Sequence, residues 1–350
     1  MNPADPVPTL KAIALASGFS KSTVSDALRN KANIPPATRE KIREVALKMG
    51  YVPDARISLA MGHIRARRPL GQRISLGWLN CHKNPEAFSR IPWWKGYWDG
   101  ASQRAEDLGY HLEPLWLHDP NLPSHRLQKV LLTRGIQGLL LPPPWSDKGA
   151  SLMEWERFST AIIGGTALPP NTHRTDVDFF ANMQIVLREL AKLGYRRPGL
   201  WISGFQDMVS KGRYYGGYYH WQASQPATSR VQTEAFDFDW KQMFHHWLER
   251  EQPDVILCLD NGMINLLGEM GYRVPEDIGV VHLNLCSDVP EWSGIDQCLE
   301  QIGSAAVDLL TAQLARGEQG LPAYPKRVLI EGRWIFGETV RILAEPPAET

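Results

Sequence analysis

From Ile74 onward, short apolar runs alternate with longer amphipathic stretches: ISLGWL precedes Trp94 to Leu108, HLEPLWL precedes Leu127 to Thr133, and GLLLP and TAIIGG follow. The same rhythm returns as Met183 to Leu193, GLWIS, Tyr214 to Gln222, VQTEAF, Trp240 to Leu248, VILCL, Ile264 to Met270 and IGVVHL. Runs this apolar suit strands buried on both faces, and their alternation with helical periods predicts βαβ units around a parallel sheet. A chain of 350 residues exceeds what one core usually holds. The proline-rich, polar LPPNTHRTDVD at 168–178 divides the rhythm, so two doubly wound lobes are expected.

Hydrophobic residues at 43% and charged residues at 22% exclude a disordered or fibrous chain. No apolar run approaches the ~20 residues of a membrane span. The start, MNPADPVPTL, has neither a basic n-region nor an apolar h-region, which predicts a cytoplasmic protein without a membrane partner. Cys81, Cys258, Cys286 and Cys298 form no CxxC pair and read as reduced thiols, so neither a metal nor another cofactor is expected. The formal net charge of zero hides a polarity. Residues 1–68 hold 12 lysines and arginines against 5 acids, and the remainder 26 against 33. A basic end on a neutral protein predicts a polyanionic partner for that end.

That end is helical in pattern. Leu10, Ile13, Ala14 and Ala16 to Ser17 form one amphipathic segment closed by Gly18; Ser20 is placed to cap a second, whose inward stripe is Val24, Ala27 and Leu28. Pro35 and Pro36 open a third, with Ile42, Val45, Ala46 and Met49 on one face and Gly50 at its end. The spacing in LKAIALASGFSKSTVSDAL is that of a helix-turn-helix. It leaves Lys21, Ser22, Thr23, Ser25 and Asp26 near the start of an exposed helix fit for a major groove. The basic DARISLAMGHIRARR that follows lacks apolar surface to fold alone and reads as a hinge.

With TLKAIALASGFSKSTVSDAL, PATREKIREVALKMGY and Val52-Pro53 at one end, and Gly100 to Tyr110, LAKLGYRRPGL, RYYG, RVPEDIGVV and SGIDQ in order along the rest, the chain resembles the LacI/GalR family of bacterial transcription regulators. The resemblance implies a multidomain fold. A helical headpiece would occupy 1–53, a hinge 54–71, and an α/β two-lobed, periplasmic-binding-protein-like core 72–350. In that core the N-lobe would comprise about 72–170 plus 299–325, and the C-lobe about 171–298 plus 326–341. It also implies a homodimer on a pseudo-palindromic double-stranded operator, acting as a repressor, with a small-molecule effector, a sugar or sugar derivative, between the lobes.

By the same resemblance Lys21 and Ser22 read bases, while Thr23 and Ser25 touch phosphate or cap the helix. Asp26 departs from the arginine common in relatives: it accepts from cytosine N4, repels phosphate to enforce register, or pairs with Arg29. The hinge departs too, because Ala60 stands where relatives place a leucine wedge; Leu59 or Met61 would take that part, with Arg56, Arg65, Arg67 and Arg68 on the backbone. In the cleft the candidates are Asn80, His82, Trp93, Trp94 and Tyr97 after the first strand, and Arg213 from RYYG. Further along, Asp260 or Asn261, Asn284, and Asp296 with Gln297 complete the set. Planar polar groups and aromatic plates suit a sugar. Most of the 13 tryptophans are expected in the core.

Enzyme signatures are missing: there is no GxxxxGKS/T, GxSxG or HExxH, and His245 and His246 are adjacent rather than a turn apart. An exported sugar receptor would share the core but not the basic helices. The alternative is a cytoplasmic sugar sensor whose headpiece has lost specific recognition. The tail RILAEPPAET has no leucine heptads, which favours a dimer over a tetramer. Induction and corepression fit equally.

Overall fold

The computed structural model describes residues 8–28, 34–51, 74–120, 124–143, 153–165, 170–234, 236, 240–285 and 288–343. Arg29, the whole hinge with Arg56, Leu59 and Met61, and Cys286 lie outside the described residues.

Three helices form the headpiece: α1 (Leu10–Ser17), α2 (Lys21–Leu28) and α3 (Pro36–Lys48). The Thr9 hydroxyl accepts from the Ala12 N–H, and Gly18 closes α1 in the left-handed region at φ 77°, its N–H donating to Ala14 O. Ile13, Val24, Ala27, Ile34, Ile42 and Ala46 make the small core. Ala16, expected inward, is exposed, and Ser17 takes the buried place.

The remainder is built on two sheets. In the first, β1 (Ile74–Asn80), β2 (Tyr110–Trp116), β3 (Gly138–Leu141), β4 (Ser159–Ile163), β5 (His173–Val177) and β10 (Arg327–Ile330) lie in the order β10-β5-β4-β3-β1-β2, all parallel. In the second, β6 (Pro198–Trp201), β7 (Val255–Cys258), β8 (Gly279–His282) and β9 (Ser293–Asp296) are parallel, and β11 (Arg333–Ile335) runs antiparallel to β9. Helices α4 (Ala87–Arg90), α5 (Pro92–Asp107) and α6 (Ser124–Thr133) connect strands of the first sheet; α7 (Phe179–Lys192), α8 (Gly204–Ser210), α9 (Arg213–Ala223), α10 (Trp240–Glu251) and α11 (Met263–Glu269) belong to the second. Helix α12 (Leu299–Arg316) leaves the second sheet and packs on α5, β3, β4 and β5 of the first.

Two sequence expectations change. The segment LPPNTHRTDVD is not merely a break, since His173–Val177 is a strand of the first sheet, and so is Arg327–Ile330. The lobe limits expected at 170/171 and 325/326 therefore move to just after Val177 and Ile330. The strand was disguised because polar side chains in it are buried with partners rather than solvated: His173 Nδ1 accepts from Lys326 N, and Arg174 donates to Gly164 O. Conversely, the described part of VQTEAF is not a strand. Val231 O accepts from the Tyr218 hydroxyl and the Gln222 amide, so side chains take the place of a ladder.

The chain crosses between the sheets after Val177, around Gln297–Cys298 and around Glu331–Gly332. One apolar cluster runs through both lobes, including Trp78, Tyr97, Phe179, Val186, Tyr214 and Val281. Among the described residues no helix is long and apolar enough to cross a membrane.

Helices α5 and α12 approach so closely that a Cβ at Gly100 would lie 1.9 Å from Glu300 O, and one at Gly303 would lie 2.1 Å from Tyr97 O. Gly100→Ala is expected to cost about 1–3 kcal/mol by forcing the helices apart. Gly216→Ala, whose Cβ in α9 meets nothing within 4 Å, should be neutral or stabilising by about 0.5–1 kcal/mol. Urea melts of both variants check the contrast.

Candidate DNA interface and interlobe cleft

Helix α2 begins with a tight hydroxyl arrangement. Ser20 Oγ accepts from Thr23 N at 3.1 Å, lies 2.7 Å from Ser22 Oγ and 2.8 Å from Thr23 Oγ1. This caps the helix and spends local partners on Ser22 and Thr23. Lys21 and Ser22 are exposed; Thr23, Ser25 and Asp26 are half-buried, and Asp26 is not a free carboxylate. Lys21 is thus the unencumbered donor at the helix start. Lys41, on α3, sits over the Phe19 ring at 5.7 Å.

The second group of candidates gathers at the C-terminal ends of strands, where two open parallel sheets face each other. Asn80 is buried and internally committed: its amide donates to Pro85 O and its carbonyl accepts from His82 N at 2.9 Å. It shapes the loop that carries His82. The His82 ring meets Trp94 edge-on at 4.7 Å, and Trp93 meets Trp94 at 4.5 Å, giving an aromatic wall. Trp94 Nε1 is buried and makes no hydrogen bond.

Arg213 is held on all sides. Its Nη2 lies 2.5 Å from Asp176 Oδ2, Nε donates to Ser210 O at 2.6 Å, Nη1 donates to Val177 O, and the guanidinium lies 4.9 Å from the Phe179 ring. Its side chain is 19% exposed and that of Asp176 1%. Because Asp176 is on β5 and Arg213 starts α9, the pair ties one lobe to the other. Sequence inspection missed Asp176, which sits in the disguised strand.

Gln297 is likewise structural in its contacts, donating to Leu283 O at 2.8 Å and to the Tyr214 hydroxyl. Burial raises the Tyr214 and Tyr97 phenols far above the usual range, so both are neutral. Asp260 turns back on its own loop, accepting from Gly262 N at 2.7 Å, while Asn261 is exposed. Asp296 is engaged by Arg333 at 2.6 Å. His282, also missed in the sequence, is buried beside Trp292, and burial lowers its pKa. Its Nδ1 accepts from Asn284 N, which places the ring proton on Nε2. His282 Nε2 and Asn284 Oδ1 are buried without hydrogen bonds, a donor and an acceptor whose cost of burial a polar ligand would offset.

The description "Bacterial regulatory proteins, lacI family" matches residues 9–54, and "Periplasmic binding protein-like domain" matches residues 187–340. The HTH-type transcriptional regulator CelR of Thermobifida fusca is 24% identical over 348 residues, covering 95% of this chain and 98% of that protein. The chain belongs to the lacI family.

A repressor of the same family, PurR of Haemophilus influenzae strain PittEE, is 21% identical over 95% of this chain and 98% of its own length. Among solved structures, the CelR–cellobiose complex matches with a TM-score of 0.57 at 22% identity, covering 95% of this chain and 99% of that one. The lac repressor dimer bound to operator and the anti-inducer ONPF matches at 0.53 and 18%, covering 96% and 99%. At these identities the structures establish the fold. As a lacI-family member the protein is a DNA-binding transcription regulator, and its relatives are regulators rather than enzymes.

Arg213→Ala would strand a buried carboxylate, and is expected to cost about 3 kcal/mol or more. Asp176→Asn should cost less, and the double variant less than the sum of the two. A double-mutant cycle by chemical denaturation tests this; additive losses would show that the pair does not couple the lobes.

Proposed function

We propose that the protein binds a pseudo-palindromic operator as a homodimer, and that a carbohydrate effector in the interlobe cleft sets its affinity for DNA. The observation that carries this is the joining, in one chain, of a capped and exposed helix led by Lys21 to two lobes whose facing ends carry aromatic rings and unspent polar groups. Lys21 is the proposed principal base reader, donating to guanine O6 or N7; Ser22 reads permissively, since its hydroxyl has a local partner in Ser20. Thr23 and Ser25 serve phosphate contact or helix geometry. Asp26 acts with Arg29 or at the groove, and Leu59 or Met61, with Arg56, supplies the hinge contacts.

In the cleft, His82, Trp94, Asn261 and Asn284 are the proposed contacts, with Arg213 offering any donor not already held. Asn80, Asp260 and Gln297 shape the walls, because their polar atoms serve neighbouring loops. A sugar matches this mixture: hydroxyls both donate and accept, as the His282 and Asn284 atoms require, and its apolar face can lie on an indole. The CelR relative solved with cellobiose supports the carbohydrate class. Differential affinity of two lobe arrangements would couple the sites, typically by ~1–3 kcal/mol.

Selection from a random duplex pool with full-length protein at moderate salt should enrich a short palindrome. Repeating it with cellobiose fixes the sign: lost enrichment means induction, gained enrichment corepression. Lys21→Ala should lower specific affinity about tenfold or more and relax one symmetric operator position, with little change on random DNA. No enrichment under either condition would return the chain to a sensor without specific DNA recognition.

A further inference from the structure

Outside the cleft contacts, positive charge accumulates along the seam where β5 and β10 of the first lobe meet the α8–α9 turn of the second. Arg174 and Arg327 are register partners on neighbouring parallel strands, so their side chains leave the same face of the sheet, and Asp176 shares it two residues along. Arg174 is buried and donates to Gly164 O at 3.2 Å. At the adjoining Gly165 a Cβ would lie 2.7 Å from Val209 O and 3.3 Å from Asp176 Oδ2, so this loop runs directly under the end of α8. Lys211 follows there, in left-handed backbone at φ 60° and ψ 44°, a conformation ordinarily left to glycine or asparagine.

The charges do not balance. Asp176 spends Oδ2 on Arg213 and Oδ1 on Val177 N–H. Neither the Lys211 ammonium nor the Arg327 guanidinium has a hydrogen bond or ion pair among the described residues. Burial together with Arg174, Arg327 and Arg213 lowers the Lys211 ammonium to about 8, against the opposing pull of Asp176. Lys211 and Arg327 are both exposed, so solvent screens their repulsion without cancelling it, and both are open to an anion from solution.

We propose that this seam binds an anion of the phosphate or carboxylate class, gripped by Lys211 from one lobe and Arg327 from the other. A guanidinium offers two parallel donors to such a group and an ammonium a third. Because the two cations belong to different lobes, the bound anion stabilises the lobe arrangement described here. The seam is independent of the carbohydrate reading of the cleft.

The test uses full-length protein in thermal-shift and calorimetric titrations against inorganic phosphate, glucose 6-phosphate, glucuronate and glucose, with chloride added to match ionic strength. Phosphate or an anionic sugar should raise Tm beyond the chloride control while glucose does not. Lys211→Asn, which keeps the left-handed backbone, and Arg327→Gln should each weaken anion binding at least tenfold, with unliganded melting unchanged or raised. Tighter binding of glucose 6-phosphate or glucuronate than of phosphate assigns the anion to a larger ligand; equal binding assigns it to the free ion. No anion exceeding chloride, or anion binding undiminished in both variants, overturns the proposal. Cellobiose titrated in the same samples bears only on the cleft: its failure with phosphate binding intact leaves the seam standing.

Discussion

Asp176 is 1% exposed, and a carboxylate at that depth survives only with a cation and hydrogen-bond donors around it. Arg213 supplies the cation and the Val177 N–H a donor. Since the acid belongs to the first sheet and the arginine to a helix of the second lobe, the requirement is met only with the lobes together. The surrounding chemistry follows from it. Phe179 and Tyr214 pack edge-on at 4.8 Å beside the pair, Gln297 braces the Tyr214 hydroxyl, and the apolar cluster continues unbroken from one lobe to the other. The ion pair adds direction to a contact that apolar packing alone would leave free to slide.

This contact also marks the limit of what the sequence displays. The helix-turn-helix is legible because each signal is local: a hydroxyl before Lys21, a glycine after Ser17, apolar residues a turn apart. Strands such as ISLGWL and VILCL are legible because burial on both faces leaves only apolar residues. HRTDV is not, since its His173, Arg174 and Asp176 side chains are matched by Lys326 N, Gly164 O and Arg213, and hydropathy cannot see a partner. The same blindness affects Arg213. RYYG marks it as a residue of consequence, but the sequence has no sign that Asp176 already holds it. His282 hid in the reverse way, inside a run apolar enough to be taken as plain strand.

The headpiece poses a different problem. Helices as short as α1 and α2 are marginal alone, and they persist because Ile13, Val24 and Ile42 are each fully buried against one another. Ser20 contributes more than a cap. Its hydroxyl also engages those of Ser22 and Thr23, while the neighbouring Lys21 is exposed, and the proposed base reading by Lys21 would rely on that rigid mount.

The proposed coupling between effector and DNA requires that each lobe move as a unit. The close seat of α12 on α5, with Gly100 under Glu300 O and Gly303 under Tyr97 O, removes slack within the first lobe, because no side chain intervenes to repack. The chain passes between the lobes at three crossings, Val177–Phe179, Gln297–Leu299 and Glu331–Gly332, and these are the torsions that a change of lobe angle would use. Cys298, at φ 54° in the second of these, already holds a backbone conformation that L-residues adopt at a cost. A ligand touching both lobes therefore acts on few torsions, and a modest difference in its contacts between two lobe arrangements is enough to shift their populations.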